Sequence, residues 1–353
     1  WMKPFQSWAQ SLKLLIKSDS NLKSSLNNLA SDRSAILLVG GRGTRLAPLT
    51  NNTPKPMLQV AGVPFTEHQI RKAAQAGISE IVLATSYKAE LFEPYFGDGK
   101  KFGIKIKYAV EESALGTGGG IRNAAALLEN CDQVVIFNGD VLSGHDLSAQ
   151  IQFHINNKAD VTLYLTKVED ARAYGCVELL ADNQVKSFLE KMENPVSNMI
   201  NAGYYIFNRK VIDQIPANQV VSVERDTFPS FLSSGVKVYG YLDNSYWLDI
   251  GNPQALVKAS ADLITGVITS VATPKHSGDH LIAAGAQVSS SSIVNLGTVI
   301  EAEVVVEGNC QISGSIIGKG AKIGANCKVI NSIIAPDTQI ESGMIVISNY
   351  LGF

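Results

Sequence analysis

Backbone that must wrap a polyphosphate needs glycines and fixed cations, and one stretch of this chain supplies both. The apolar run Ile36–Val39 leads into Gly40, Gly41, Arg42, Gly43, Thr44 and Arg45, and Pro54-Lys55-Pro56 follows closely. Glycines let backbone N–H groups approach anionic oxygens. Arg45 can grip phosphate in a bidentate way, while Lys55 acts as a compact charge. Phe137-Asn138-Gly139-Asp140 ends a second apolar run and presents a carboxylate there. Asp249, in Tyr246-Trp247-Leu248-Asp249-Ile250-Gly251, is the natural second one. Mg2+ favours one or two carboxylates plus phosphate oxygens and waters, so the pair suits it. A glycine-rich loop alone is a weak signal, and an Asp after a strand is often a turn or cap. The information lies in the ordered set.

The elements that position these residues read as alternating strand and helix from 34 to 266. Ile36–Val39, Ile81–Ala84 and Val134–Phe137 are continuous apolar runs, as buried parallel strands should be. Ile104, Ile106 and Tyr108 alternate with polar residues, as does Val161–Leu165, which predicts strands with one exposed face. Phe65–Ala76 reads as a helix ended by Gly77. Such alternation predicts an α/β fold, a Rossmann-like, mostly parallel sheet covered by helices, with ligands beyond the carboxyl ends of the strands.

A repeat begins near Leu281. Ile282, Val288, Val294, Ile300, Val306 and Ile312 stand six residues apart; after one five-residue step come Ile317, Ile323 and Val329, and after another Ile334, Ile340 and Val346. One aliphatic residue per six fits a triangular β-solenoid over 281–353, with roughly three to four coils at about eighteen residues each. Residues 1–33, with Phe5, Trp8, Leu12, Leu15 and Ile16 roughly on one helical face, read as a helical N-terminal extension.

The glycine set, with Pro54-Lys55-Pro56-Met57, resembles the nucleotide-binding stretch of the sugar-1-phosphate nucleotidylyltransferases (pyrophosphorylases). Ala47 departs from that pattern, where Arg is usual, and Arg42 could partly compensate. Glu111-Glu112-Ser113-Ala114-Leu115-Gly116-Thr117-Gly118-Gly119-Gly120 resembles the family's second loop, which lies against base and ribose, with Gly120 expected to open a helix. The resemblance implies nucleotide binding by Gly40, Gly41, Gly43, Thr44, Arg45, Gly116, Thr117 and Asn138, and Mg2+ on Asp140 and Asp249. Phe188-Leu189-Glu190-Lys191 resembles the sugar-phosphate segment, where Lys191 would meet the phosphate and Glu190 the sugar hydroxyls. Asn201 would place its amide on the sugar, and Tyr174 and Gly175 would wall the same pocket. Ser222-Val223-Glu224-Arg225-Asp226 matches as well, but an ion-paired helix start explains it sufficiently. The trailing repeat is similar to the hexapeptide left-handed β-helix found in this family.

The finer pattern is similar to bacterial mannose-1-phosphate guanylyltransferases. It implies attack of the sugar 1-phosphate on the α-phosphorus of GTP, with Arg45, Lys55, Asp140 and Lys191 catalytic and Mg2+ as cofactor. Another nucleotide, or a heptose or glucose phosphate, would use the same residues. A bifunctional acyltransferase would need a histidine within the coils, yet none of His68, His145, His154, His276 and His280 lies from Ile282 onward. A nucleotide-sugar-sensing subunit without activity would show degenerate motifs.

Composition bounds the rest. A net charge of −2 gives no general pull toward nucleic acid or anionic membrane. Leu14–Ile16 is too short for a membrane span or a leader core. Cys131, Cys176, Cys310 and Cys327 have no metal-ligand spacing and read as free thiols in a reducing cytoplasm. The solenoid's flat faces and final edge predict a homo-oligomer formed through it.

Overall fold

A computed structural model describes residues 33–41, 43–86, 88–129 and 131–353. The expected N-terminal helix and the role weighed for Arg42 lie outside the described residues. The main sheet has nine strands. We number those that bear on the site β1 (Arg33–Leu38), β2 (Glu80–Thr85), β3 (Lys105–Val110), β4 (Gln133–Asn138), β5 (Val141–Ser143), β6 (Val161–Lys167), β7 (Gly175–Leu179), β8 (Val185–Glu190), β9 (Met199–Asn208), β10 (Val238–Leu242) and β11 (Trp247–Asp249). The main path runs β8-β7-β9-β4-β1-β2-β3, while β6 pairs with β9 and β10. β5 and β11 form a separate two-stranded ribbon.

The β4-β1-β2-β3 stretch is parallel throughout. Its direction of winding reverses between β1 and β4, which is where such sheets open a crevice for ligands. β9 turns antiparallel against β4. The helices are α1 (Phe65–Gln75), α2 (Gly116–Ala125), α3 (Leu147–Asn156) and α4 (Pro253–Ile264). α1 ends at Gly77, whose φ of 79° is left-handed backbone that suits glycine. Ala35, Leu37, Ile81 and Phe137 pack one side of the sheet with Ile70 of α1, while Ile36, Val82 and Ile136 face Ile121 of α2.

Two local readings are corrected here. Val161–Leu165 has no exposed face: β6 is central, and Thr162 and Tyr164 are as buried as their apolar neighbours. Gly120 does not open a helix, because α2 already begins at Gly116.

From His280 to Leu351 the chain forms three parallel sheets of five, four and four strands, an arrangement consistent with a left-handed β-helix. His280 pairs with Thr298, one eighteen-residue coil on, and Ile316 with Ile333, one seventeen-residue coil on. The five-residue steps in the repeat are thus coils shortened by one residue. Ile300, Val306, Ile312, Ile317, Ile323, Val329, Ile334, Ile340 and Val346 stack into one core with Cys310 and Cys327 between them. Ile282 sits on the open first coil and is 40% exposed. That coil starts two residues before Ile282, so His280 belongs to it, beside Asp279.

The β-helix shares a core with the sheet domain. Leu46, Leu49 and Leu58 pack in one cluster with Leu281, Val299, Ile316 and Ile333. Leu46, Leu49 and Leu58 frame the segment from Arg45 to Lys55, so the coils buttress it. The four cysteines are free and buried. Among the described residues no helix is long and apolar enough to cross a membrane.

Candidate active site

The carboxyl ends of β1, β2, β3 and β4 border a cavity of about 400 Å³ lined by Gly40, Gly41, Lys55, Glu111, Thr117 and Asp140, among others. After β1 the chain folds tightly. Gly43 takes φ 63°, and a Cβ there would lie 2.8 Å from Lys55 Cβ. Thr50 Oγ1 donates to Gly43 O at 3.1 Å, so the loop closes back on itself and brings Lys55 beside its start. Gly41 faces open space, while a Cβ at Gly40 would meet Ser86 Oγ at 2.8 Å. Thr44 and Arg45 form a short turn and are exposed.

At the end of β4, a Cβ on Gly139 would collide with the Leu38 carbonyl oxygen. The bare turn lets the chain pass the end of β1 and hold Asp140 at the mouth of the crevice. Lys55 Nζ stands 2.8 Å from Asp140 Oδ2. The second carboxylate arrives through the ribbon: Asp249 pairs with Val141, and Ile250 N donates to Asp140 O at 2.9 Å. A Cβ on Gly251 would lie 2.9 Å from Asp249 Oδ2 and 3.1 Å from Arg45 Nη1, so Arg45 and Asp249 converge over this bare position.

Burial and then the Asp140 charge raise the Asp249 carboxyl above its ordinary range, opposed by Lys55, Arg45 and Lys191. Two neighbouring carboxylates that repel each other, with no third such ligand gathered beside them among the described residues, fit a hard cation that completes its shell with phosphate and water.

The sugar-side residues meet across β7, β8 and β9. Glu190 pairs with Gly175, where a Cβ would lie 2.8 Å from Glu190 Oε2. Lys191 has φ 52°, its N–H donates to Tyr174 O at 3.0 Å, and its Nζ is 3.6 Å from Glu190 Oε1. Tyr174 packs edge-on against Trp247 at 5.4 Å, next to Asp249. Asn201 Nδ2 donates to Tyr205 Oη at 2.8 Å, and Asn138 Nδ2 reaches the same oxygen at 3.4 Å. Tyr205 thus ties the sugar-side Asn201 to the nucleotide-side Asn138. Asn138 Oδ1 is buried without a hydrogen-bond partner.

Glu224 is the lining residue that motif reading passed over. Ser222 caps a helical turn, its Oγ accepting from Arg225 N at 3.1 Å. Glu224 nevertheless lines the cavity, and its Oε2 accepts from Thr117 Oγ1 at 2.8 Å and Ser222 Oγ at 2.9 Å. No spacing rule in the sequence pairs positions 117 and 224. The second-loop glycines also have a packing cause. Cβ atoms on Gly116 and Gly119 would lie 2.6 Å from Val221 O and 2.5 Å from Gln219 O, and Gly118 N donates to Val221 O at 2.8 Å.

A larger cavity of about 530 Å³ lies behind β5, lined by His68, Lys72, His145, Tyr204, Tyr246 and Ser270. Lys72 Nζ there donates to Ser143 O at 2.7 Å and His145 O at 2.8 Å. Its ammonium is therefore occupied by protein carbonyls, and none of the glycine loop lines it.

Known proteins resemble this chain over both of its parts. A family model described as nucleotidyl transferase matches residues 34–266, and one described as the GlmU-like C-terminal hexapeptide matches 267–350. The chain is 46% identical over 313 residues to the mannose-1-phosphate guanylyltransferase of Mycobacterium tuberculosis (strain ATCC 25618 / H37Rv), covering 88% of this chain and 82% of that one. It is 33% identical over 268 residues to the mannose-1-phosphate guanylyltransferase catalytic subunit beta of Dictyostelium discoideum, covering 75% of this chain and 72% of that one. The crystal structure of HddC from Yersinia pseudotuberculosis, also solved complexed with GMP-PN, superposes with a TM-score of 0.55 at 29% identity, covering 64% of this chain and 97% of that one.

Proposed function

The chain belongs to the nucleotidyl transferase family, and we propose that it transfers a guanylyl group from GTP to mannose 1-phosphate, forming GDP-mannose and releasing pyrophosphate. The observation that carries this reading is the convergence of Lys55, Asp140, Asp249 and Arg45 at the β1/β4 crevice, beside Glu190 and Lys191. The relatives named mannose-1-phosphate guanylyltransferase support the choice of sugar and base.

The sugar-phosphate oxygen attacks the α-phosphorus in line; the new P–O bond forms as the bond to the bridging oxygen breaks, and pyrophosphate carries the electron pair away. The nucleophile is already an anion at neutral pH, so no general base is required. Catalysis reduces to positioning and charge stabilisation. Asp140 and Asp249 would hold Mg2+, which supplies neutralisation of phosphate charge when bound. Arg45 and Lys55 face the charge developing on the nucleotide phosphates. Lys191 orients the incoming phosphate, Glu190 and Asn201 take sugar hydroxyls, and Tyr174 and Gly175 wall that side.

The β-helix supports self-association: Ile293, Ile345 and Ile347, on strands of one of its sheets, are 59%, 68% and 54% exposed. Light scattering at micromolar concentration should show a dimer or larger, and a monomer would refute it. The free buried thiols support a reducing cytoplasm. The activity is tested by pyrophosphate release with Mg2+ across five nucleoside triphosphates and a panel of sugar 1-phosphates. A maximum for GTP with mannose 1-phosphate supports the assignment, whereas a maximum for another pair replaces the substrates.

A further inference from the structure

Asp140 stands just beyond the pairing of the main sheet. β1 pairs with β4 as far as Asn138 and β9 only as far as Phe137, so Gly139-Asp140 lies past the ladder. In the ribbon, Ile250 N donates to Asp140 O, which makes Asp140–Ile250 a hydrogen-bonded pair and Val141–Asp249 the non-hydrogen-bonded one. Val141 O therefore points away from β11, and a carbonyl so placed needs a donor from another element. Gln69 supplies it. Its Nε2 donates to Asn138 O at 2.8 Å and to Val141 O at 3.3 Å, so one amide spans the carbonyls on either side of Gly139-Asp140. Tyr204 Oη also donates to Val141 O, at 3.3 Å.

Gln69 is buried on α1, and it lines the larger cavity behind β5, not the nucleotide cavity. Its Oε1 is buried with no hydrogen-bond partner. Turning the amide over would aim that oxygen at two carbonyls, so the turn itself dictates the orientation. An orphaned buried acceptor costs stability, and here it accompanies the two donated bonds. Thr66, three residues earlier, donates its Oγ1 to Pro56 O at 2.9 Å, on the residue after Lys55. Residues three apart share one side of a helix. That side of α1 holds the backbone next to Lys55 and the backbone on both sides of Asp140, so one rigid element sets their ion pair from behind.

We propose that Gln69 is a positioning residue for the two carboxylates read above as metal ligands. It fixes the Asp140 turn and, through the bond from Ile250 N to Asp140 O, the place of Asp249 beside it. Resting on the Mg2+ reading above, this role falls to a residue that touches neither substrate. A methionine would fill the same space without an orphaned oxygen, yet it would leave both carbonyls without their donor.

The test compares the full-length wild type with Gln69→Met, Tyr204→Phe and Asp140→Asn. Mn2+, which takes the same oxygen ligands as Mg2+, is titrated against each with GDP-mannose present and followed by paramagnetic resonance. Gln69→Met should bind Mn2+ about 10–100-fold more weakly, the scale for loss of a group that orients a metal ligand. The Mg2+ concentration for half-maximal rate should rise with it, while KM for mannose 1-phosphate stays within about twofold. A merely structural glutamine would lower the melting temperature and leave the metal constants in place. Tyr204→Phe keeps the ring and deletes only the second donor to Val141 O, so the same constants should shift in the same direction by about twofold or more. Should Gln69→Met not fold, an absent shift in Tyr204→Phe overturns the clamp. Unchanged Mn2+ binding in folded Gln69→Met, with binding weakened in Asp140→Asn, overturns the role of Gln69 and leaves the metal reading standing. Unchanged binding in Asp140→Asn overturns both.

Discussion

Lys55 and Asp140, 85 residues apart in sequence, form an ion pair of 2.8 Å at the mouth of the β1/β4 crevice. The pair joins the glycine loop after β1 to the carboxylate turn after β4. Lys55 is nearly buried at 11% side-chain exposure and Asp140 is 36% exposed, so the carboxylate retains an open side. Asp140→Asn should lower turnover by at least about a hundredfold, the scale for loss of one key electrostatic group. Steady-state rates with GTP and mannose 1-phosphate, alongside a thermal melt, check this. Near-normal turnover in a folded variant would remove Asp140 from the site.

Under the proposed function, Lys191 separates the roles of the two substrates. Its backbone is held to Tyr174 O, and its side chain stands by Glu190. Lys191→Ala should raise KM for the sugar phosphate about tenfold or more and leave KM for GTP within about twofold, since one charged hydrogen bond is worth roughly 1.5–3 kcal/mol. Initial rates with each substrate varied in turn decide it. A defect confined to GTP would contradict the assignment.

The extent to which the site was readable follows from the kind of constraint on each residue. Lys55, Asp140 and Asp249 meet at one crevice, and charge at strand ends leaves a mark in residue type. The six-residue repeat was equally plain, because every coil must bury an aliphatic corner. Glu224 left no such mark: its side chain reaches Thr117 only after a helical turn at Val223–Thr227 swings it in. Gly116 lines the cavity, and the backbone of Gln219–Val221 beside it and Gly119 adds a packing reason for glycine that no residue type in the sequence announces. β6 looked half-exposed because Thr162 and Tyr164 alternate with aliphatics. Those polar groups are satisfied internally, by His154 and Ser143.

Lys72 gives a pH signature. Burial lowers its ammonium to about 8, against 10.5 ordinarily. Between those values the unfolded chain holds a proton that the folded protein has released, so this group adds stability as pH rises from about 8 to about 10.5. Below pH 8 the full cost of the buried charge is present, on the order of 3 kcal/mol. Lys72→Met removes that dependence. Urea unfolding of both proteins at pH 7.5, 8.5 and 9.5 should show the wild type gaining on the variant with each step. A constant difference would mean that the carbonyls of Ser143 and His145 hold the charge without strain.

Gly297 tests the joint between the two parts of the molecule. It has φ 79°, and a Cβ there would lie 2.6 Å from Ala261 Cβ on α4 and even closer to the helix backbone. Gly297→Ala therefore combines a left-handed conformation disfavoured for alanine, about 1–2 kcal/mol, with overpacking of about 1–3 kcal/mol. The strain falls where the first coil meets α4, in the region whose shared core also carries Leu46, Leu49 and Leu58. Because those leucines frame the segment from Arg45 to Lys55, loosening the joint should lower activity as well as stability. Calorimetry should show a drop in Tm of several degrees, and kcat at a temperature well below the melt should fall at least about twofold. A variant that melts earlier but turns over normally would confine the joint to a structural role and separate the coils from the catalytic loop.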